Sequence, residues 1–239
     1  MFLATAVKPT LTVADAPIAF AEVYVLTDPA AARQAMQLTD FFQHAIAPSG
    51  ANRIALDLGR AIELVAASLD MALARKVDQS FVFDGEPVYA TIDAVLRIVR
   101  STLDVPLHQR DIDQLRTAVA GAFVGLAAQQ DDPWLAFAPA PLGRCTWSYN
   151  LNVVVQSEET GDFAYVVPLG LTIESRLARS AALALKSDDV ADFVVRVQAI
   201  KAIQFLRGAD REVPSVAGLR TSRPRLHAAA GEAMLGVPA

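Results

Sequence analysis

The chain has 239 residues, 53% apolar and 20% charged, with a formal net charge of −5. That length supports one sizeable core, and charge scattered through apolar sequence excludes a disordered chain. The acidic balance excludes a basic nucleic-acid-binding face and any strong attraction to anionic lipid, and a single cysteine, Cys145, excludes an intrachain disulfide framework.

Residues 1–19 read as an irregular arm. Pro9 and Asp15 interrupt the apolar run that a signal peptide needs, and no window of 18 apolar residues predicts a membrane-spanning helix. The expectation is a chain made in soluble form and then released or secreted. A short strand follows at residues 20–26, with Phe20, Val23 and Val25 as its apolar content. Asp28-Pro29 then predicts a helix start, since Asp caps the free N–H groups and Pro fits the first turn. Its stripe runs from Ala31 through Leu38, Phe41 and Phe42 to Ile46, and Pro48-Ser49-Gly50 breaks it. A second helix is expected over residues 51–73, with Ile54, Leu58, Ile62, Val65, Leu69 and Leu73 on one side.

A short strand at residues 80–83 leads to a second helix pair. Pro87 opens the first of these helices, with Val88, Ile92, Val95, Leu96, Val99 and Leu103 at steps of three and four, and Pro106 ends it. Asp111 caps the next, whose stripe is Ile112, Leu115, Val119, Phe123 and Leu126, with Gly121 and Gly125 at a spacing that favours close packing. Residues 134–137 read as a short strand.

Residues 146–156 then place Trp147, Tyr149, Leu151, Val153 and Val155 on one face and Thr146, Ser148, Asn150, Asn152 and Gln156 on the other. Residues 163–174 repeat the alternation with Phe163, Tyr165, Val167, Leu169, Leu171 and Ile173. Period two marks strands with one dry face, and the polar SEETGD between them marks a hairpin turn. Further strands are expected at residues 181–185 and 192–206, the second alternating Phe193, Val195 and Val197 with Arg196 and Gln198. Residues 207–239, with Arg207, Arg211, Arg220, Arg223 and Arg225, suit an exposed, protease-accessible tail. The order of strand, two helix pairs and a run of strands predicts a single α+β domain over residues 1–206, an antiparallel sheet with helices layered on it.

Strands of about eleven residues reach about 36 Å, enough to cross a bilayer core of about 30 Å when tilted. A half-buried sheet of a soluble domain has the same alternation, so the pattern alone leaves both readings open. No catalytic motif is found: GxSxG, a P-loop, GxGxxG and HExxH do not occur. Cys145 reads as a small buried residue, and the acidic groups Glu158, Glu159, Asp162, Asp188 and Asp189 as solvated turns. His44, His108 and His227 lack ligand spacing, so no metal, cofactor or enzyme activity is expected.

A series of segments is similar to the Cyt cytolytic toxins, the membrane-active delta-endotoxins of insecticidal bacterial crystals. In order these are FFQHAIAP (41–48), residues 54–69, VLRIVRSTL (95–103), DIDQLRTAVAGAF (111–123), the Trp134 strand, and TWSYNLNVVVQ with AYVVPLGLTIE. The resemblance covers residues 20–206. It implies a three-layer sandwich, with a central antiparallel β-sheet wrapped by two α-helical hairpins. It also implies a soluble protoxin, often a homodimer through exchanged N-terminal strands, that proteases trim at both ends, here including residues 207–239. Such toxins bind membrane phospholipid, move their helices off the sheet and insert the long strands as an oligomeric pore, or disrupt the bilayer as aggregates.

By that resemblance Trp147, Tyr149, Leu151, Val153, Val155, Val167, Leu169, Leu171 and Ile173, with Val195 and Val197 of the last strand, would insert. Ile112, Leu115, Val119, Phe123 and Leu126 would belong to the helix layer that leaves, and Asn150, Asn152 and Thr172 would face the lumen. Two other classes stay open. One is a non-lytic lipid- or fatty-acid-carrying virulence factor on the same fold, and the other is an enzyme whose site is assembled from distant residues.

Overall fold

Asp28 marks the first boundary of the chain, as its side chain accepts the Ala30 N–H at 2.9 Å. In the computed structural model, which describes residues 19–48, 54–139, 143–157 and 161–206, β1 (Ala21–Val25) precedes this cap. A 3-10 turn then leads into α1 (Ala32–Gln43). Two three-residue strands, β2 (Ile46–Pro48) and β3 (Ile54–Leu56), pair antiparallel, and α2 (Leu58–Ala67) follows. The predicted helix over residues 51–73 is therefore too long at both ends. Asp57 caps α2 by accepting the Arg60 N–H at 3.0 Å, and Met71 and Leu73 already pair with the last strand.

The short strand expected at residues 80–83 is in fact β4 (Met71–Pro87), 17 residues long. Next come α3 (Val88–Leu103), α4 (Gln109–Ala120) and the single turn α5 (Leu126–Gln129). Asp104, at φ 47°, closes α3 two residues before Pro106. Asp111 is not the cap of α4 but a buried residue of its first turn, where a carboxylate favours the positive end of the helix. The predicted stripe of α4 is also broken: Gly121 ends the helix, Phe123 lies in the turn that follows, and Gly125, at φ 70°, precedes α5, which begins at Leu126.

β5 (Leu135–Ala138), β6 (Cys145–Gln156) and β7 (Phe163–Ser175) follow. Residues 181–185 are not a strand; the alanine-rich α6 (Arg179–Leu183) packs the fully buried Ala182 there instead. β8 (Val190–Phe205) completes the fold.

The sheet order is β1-β6-β7-β8-β4, with β5 also on β6. The sheet is antiparallel except for β1, which runs parallel to β6 from Ala21↔Leu151 to Val25↔Val155. Such a parallel partner needs a long crossover, and both helical hairpins lie within that crossover. β6 and β7 pair from Cys145↔Ser175 to Gln156↔Ala164, the register expected of the hairpin. At its turn Ser157 N–H donates to the Phe163 carbonyl at 2.8 Å, while Glu158 and Glu159 lie outside the described residues. So do the N-terminal arm through residue 18 and the tail 207–239.

Two apolar clusters separate the layers. One joins Val95, Val99, Leu103, Leu115, Val119 and Phe123 to Trp147, Leu151, Leu169, Ile173, Phe193 and Val197. The other joins Leu38, Phe42, Ala61 and Val65 to Val154, Val166, Ile200 and Ala202. The protein is thus a single α+β domain in which α1 and α2 cover one face of the central sheet and α3 and α4 cover the other.

Candidate functional site

Alternation along β6 and β7 sorts their side chains into an apolar face and a mixed one, where Ser148, Asn150, Asn152 and Gln156 stand beside Val154, Ala164 and Val166. Trp147, Tyr149, Leu151, Val153, Val155, Val167, Leu169, Leu171 and Ile173 point toward α3 and α4, and Val195 and Val197 of β8 continue that face. None of these is more than 4% exposed, whereas Phe163 and Tyr165, expected on the same face, are half-buried at the start of β7. Leu115, Val119, Phe123 and Leu126 are fully buried against that face, and Ile112 packs at its border, half-buried.

Aromatic rings fill the centre. Phe193 meets Phe123 edge-on at 5.7 Å and Trp147 at 6.4 Å. Polar links to this helical layer are few among the described residues. The Trp147 indole N–H donates to the Ala122 carbonyl at 2.8 Å, and the Tyr149 hydroxyl donates to Gln129 Oε1 at 3.4 Å. Burial pushes the Tyr149 hydroxyl pKa well up, helped by the Asp132 charge, so it stays a neutral donor. Lys201 is the exception on this face. Only 8% exposed, it holds its ammonium 4.6 Å from the Tyr165 ring, and burial pulls its pKa down against the opposing pull of Asp104.

The opposite face was expected to be wet, because its residues are polar. It is buried as well: Ser148, Asn150, Asn152 and Gln156 are at most 5% exposed. The correction has a physical cause, since α1 and the β2–β3 hairpin lie over these side chains and supply polar partners. Asn152 Nδ2 donates to Thr39 Oγ1 of α1 at 2.8 Å, and Asn150 Nδ2 donates to the Ile54 carbonyl of β3 at 3.3 Å. Gln156 Oε1 accepts the backbone N–H groups of Thr27 and Asp28 at 3.1 and 3.0 Å.

The Tyr24 hydroxyl extends this network, donating to Glu22 at 2.6 Å and lying 2.9 Å from Thr39 Oγ1. Burial raises the Glu22 carboxyl above its ordinary value, against the lowering effect of the Tyr24 and Thr39 hydrogen bonds. Ser148 Oγ, Asn150 Oδ1 and Asn152 Oδ1 have no hydrogen-bond partner among the described residues. Thr172 is half-buried on the same face, in a cleft of about 430 Å³ that Glu174, Arg196 and Asp57 also line.

The network around Thr39, Tyr24 and Glu22 escaped the sequence reading, since nothing local marks a threonine in a helix as the partner of a distant strand. β4 beyond residues 80–83 also escaped it. Exposed along most of its length, it forms one border of the sheet, where Asp78 accepts both Arg196 guanidinium donors at 2.9 Å.

The described residues contain no group of three or more His, Cys, Asp or Glu arranged to hold a metal ion. Cys145 is buried, and burial pushes its thiol pKa up, away from the thiolate a nucleophile needs. No described helix is long and apolar enough to cross a membrane. What the arrangement can do is present two kinds of surface if its layers separate: an apolar one, and a mixed one in which Ser148, Asn150 and Asn152 stand beside Val154 and Val166.

Comparison with known proteins gives consistent matches. The profile of the Bacillus thuringiensis toxin family matches residues 4–222. The type-1Aa cytolytic delta-endotoxin of Bacillus thuringiensis subsp. morrisoni is 27% identical over 177 residues, 72% of this chain and 71% of the relative. The type-2Bb cytolytic delta-endotoxin of subsp. jegathesan is 25% identical over 199 residues, 82% of this chain and 74% of the relative. Among solved structures, the activated Cyt2Ba monomer of subsp. israelensis shares the fold at a TM-score of 0.73 and 23% identity, covering 79% of this chain and 99% of that one.

Proposed function

This chain belongs to the Bacillus thuringiensis toxin family, and from that premise we propose that it is a cytolytic toxin that permeabilises membranes by exchanging its α3–α4 cover for lipid. The observation that carries the reading is the contrast between the two faces of β6 and β7. One is apolar and packed under α3 and α4, and the other is mixed, carrying Ser148, Asn150, Asn152 and Gln156 beside the buried Val154, Ala164 and Val166.

Lipid tails can replace apolar helix contacts at little cost, because both are equally dry. They cannot replace the hydrogen bonds that Asn150 and Asn152 make to the other layer. Trp147, Tyr149, Leu151, Val153, Val155, Val167, Leu169, Leu171, Ile173, Val195 and Val197 therefore turn to lipid, and the Asn/Ser face turns to water in a lumen. β6, β7 and β8, with 12, 13 and 16 residues, exceed the about 9–11 residues a tilted strand needs to span a bilayer. Strand edges cannot stay open in hydrocarbon, so insertion requires several copies to close a barrel. The partners are thus membrane phospholipid and further copies of the chain. Removal of the tail 207–239 by a protease belongs to the same reading as an activating step.

An engineered disulfide between the α3–α4 layer and the sheet, in a Cys145→Ser background, tests it. The expected result is dye release from phosphatidylcholine vesicles only in the reduced form, with vesicle binding in both. Full release by the oxidised form would overturn the proposal.

A further inference from the structure

We propose that the part of the sheet left bare beside the β2–β3 hairpin is a saccharide-binding site. This function goes beyond membrane permeabilisation and does not depend on it.

α1 and α2 rest on Val154, Val166, Ile200 and Ala202 at one end of the mixed face. Toward the other end the helical cover stops, and Val194 and Val82 are 41% and 65% exposed. There the register of β7, β8 and β4 lines up side chains of the same face in rungs. One rung is Thr172, Arg196 and Ser80, and the next is Glu174, Val194 and Val82. The β2–β3 hairpin makes a wall beside them. It can sit directly on β7 because Gly170, two residues before Thr172 on the same side, has no side chain. A β-carbon there would lie 2.8 Å from Leu56 Cβ. Between wall and rungs is a cleft of about 430 Å³, lined by Ser80, Thr172, Glu174, Arg196 and, from the start of α2, Asp57. That volume is within the range of about 300–1,000 Å³ usual for small-molecule sites.

The polar groups are held in place before any ligand arrives, which lowers the entropy cost of binding. Asp78 accepts both Arg196 donors at 2.9 Å and the Gln198 amide at 3.4 Å, fixing the guanidinium plane on the floor of the cleft. The Asp57 carboxylate is fixed by the Arg60 N–H it accepts at 3.0 Å.

Three arguments identify the occupant as a sugar. The first is the mixture of donors and acceptors. Arg196 and Gln198 donate, Glu174 and Asp57 accept, and Ser80 and Thr172 do both. Neighbouring sugar hydroxyls need that mixture, since each both donates and accepts, and one carboxylate can accept from two of them. An acyl chain would strand these groups, and an anion would meet two carboxylates. The second is the valine strip. Val194 and Val82 stand beside the polar rung, and a pyranose ring likewise joins an apolar C–H face to a rim of hydroxyls. The third is Ser148, opposite Thr172 in register. It is 1% exposed, and its Oγ has no hydrogen-bond partner among the described residues. Opposite side chains on one face lie about 5 Å apart, so a ligand hydroxyl seated on Thr172 comes close to this buried group.

The test is titration of the ¹⁵N-labelled full chain with glucose, galactose, mannose, N-acetylglucosamine, maltose and lactose, followed by amide chemical shifts. At least one sugar is expected to shift residues 80, 172–174 and 194–198 saturably, with a dissociation constant in the millimolar range or below. Glu174→Gln should bind it about tenfold more weakly and Thr172→Val about fivefold. Glu174 is exposed and valine has the shape of threonine, so both variants should fold, which a circular dichroism melt checks. Ser101→Ala, in a separate cleft of about 420 Å³ at the end of α3, is the control and should bind like the wild type.

No saturable shift with any of these sugars would overturn the proposal. So would unchanged affinity in both site variants, or an equal loss in Ser101→Ala. A saturable response at these residues to spermidine or inorganic phosphate, with none to sugar, would make the cleft an ion site instead. The sugar that binds is then presented on a lipid in vesicles and coupled to serum albumin, which distinguishes a membrane glycan from a protein-borne one. Equal binding to the two carriers without sugar would also overturn the proposal.

Discussion

Asn152→Leu sets the two roles of the polar face against each other. Asn152 is fully buried, and leucine has the same branching and number of side-chain heavy atoms. The substitution loses the 2.8 Å bond to Thr39, about 0.5–1.5 kcal/mol net. Thr39 keeps the Tyr24 hydroxyl at 2.9 Å and the Ala35 carbonyl at 3.4 Å, so it is not stranded. The substitution also removes Oδ1, a buried acceptor with no partner among the described residues, whose burial costs about 1–3 kcal/mol. The balance is a gain of about 1 kcal/mol, which for a chain of this size raises Tm by about 2–4 °C.

Permeabilisation should move the other way, because an apolar side chain then lines the water path. Thermal melts followed by circular dichroism give the first quantity, and dye release with single-channel currents in planar phosphatidylcholine bilayers gives the second. A lower Tm would show that the bond to Thr39 outweighs the stranded acceptor and that Asn152 is retained for the fold. A higher Tm with undiminished release would show that this face does not line the path.

A β-carbon at Gly170 would lie 2.8 Å from Leu56 Cβ, so Gly170→Ala should push β3 off the sheet at a cost of about 1–3 kcal/mol; a lower urea midpoint at constant m-value is the expected readout. Trp147→Phe removes the bond to the Ala122 carbonyl and leaves space in a fully buried site, costing about 1–3 kcal/mol. Because that bond ties the α3–α4 layer to the sheet, vesicle dye release should become faster. Slower release at equal binding would count against that layer as the mobile one. Burial raises the Glu22 carboxyl, so between its ordinary and raised values the folded chain binds more protons than the unfolded one, and stability falls as pH rises through that window. Glu22→Gln keeps an acceptor for Tyr24 and should therefore raise Tm near neutral pH. That advantage should disappear on acidification below the ordinary carboxylate range, and a pH-independent difference would refute the cause given.

The parts of the fold legible in the sequence are those in which one element carries one uninterrupted pattern. Period two placed strands at residues 146–156 and 163–174, close to β6 and β7 as observed, and steps of three and four placed α3. The second helix was overextended because its apolar rhythm runs on into Leu69 and Leu73. Leu69 is in fact a fully exposed loop residue and Leu73 part of a strand, so one rhythm crosses three kinds of structure. All of β4 but residues 80–83 was hidden for the opposite reason. Most of its side chains meet water, its charged residues include Arg75, Lys76 and Asp78, and its backbone pairing with β8 leaves no trace in hydropathy.

The same limit governs the site. Alternation tells which side chains share a face, but not what covers that face. Ser148, Asn150 and Asn152 read as water-facing because they are polar, and they are dry because α1 and β3 lie over them. Their partners Ile54 and Thr39 are 96 and 113 residues away along the chain. A fold selected for stability alone would place apolar side chains in such a layer, since an unpartnered buried acceptor is a net cost. Retaining Asn150 and Asn152 beneath a helix is physically reasonable if the same strand must later meet water on that side. Trp147 and Leu151, on the other side, can exchange helix for lipid without changing the character of their surroundings. The strand is thus suited to two solvents, with the cost of the second borne by the first. That cost is the one Asn152→Leu would relieve.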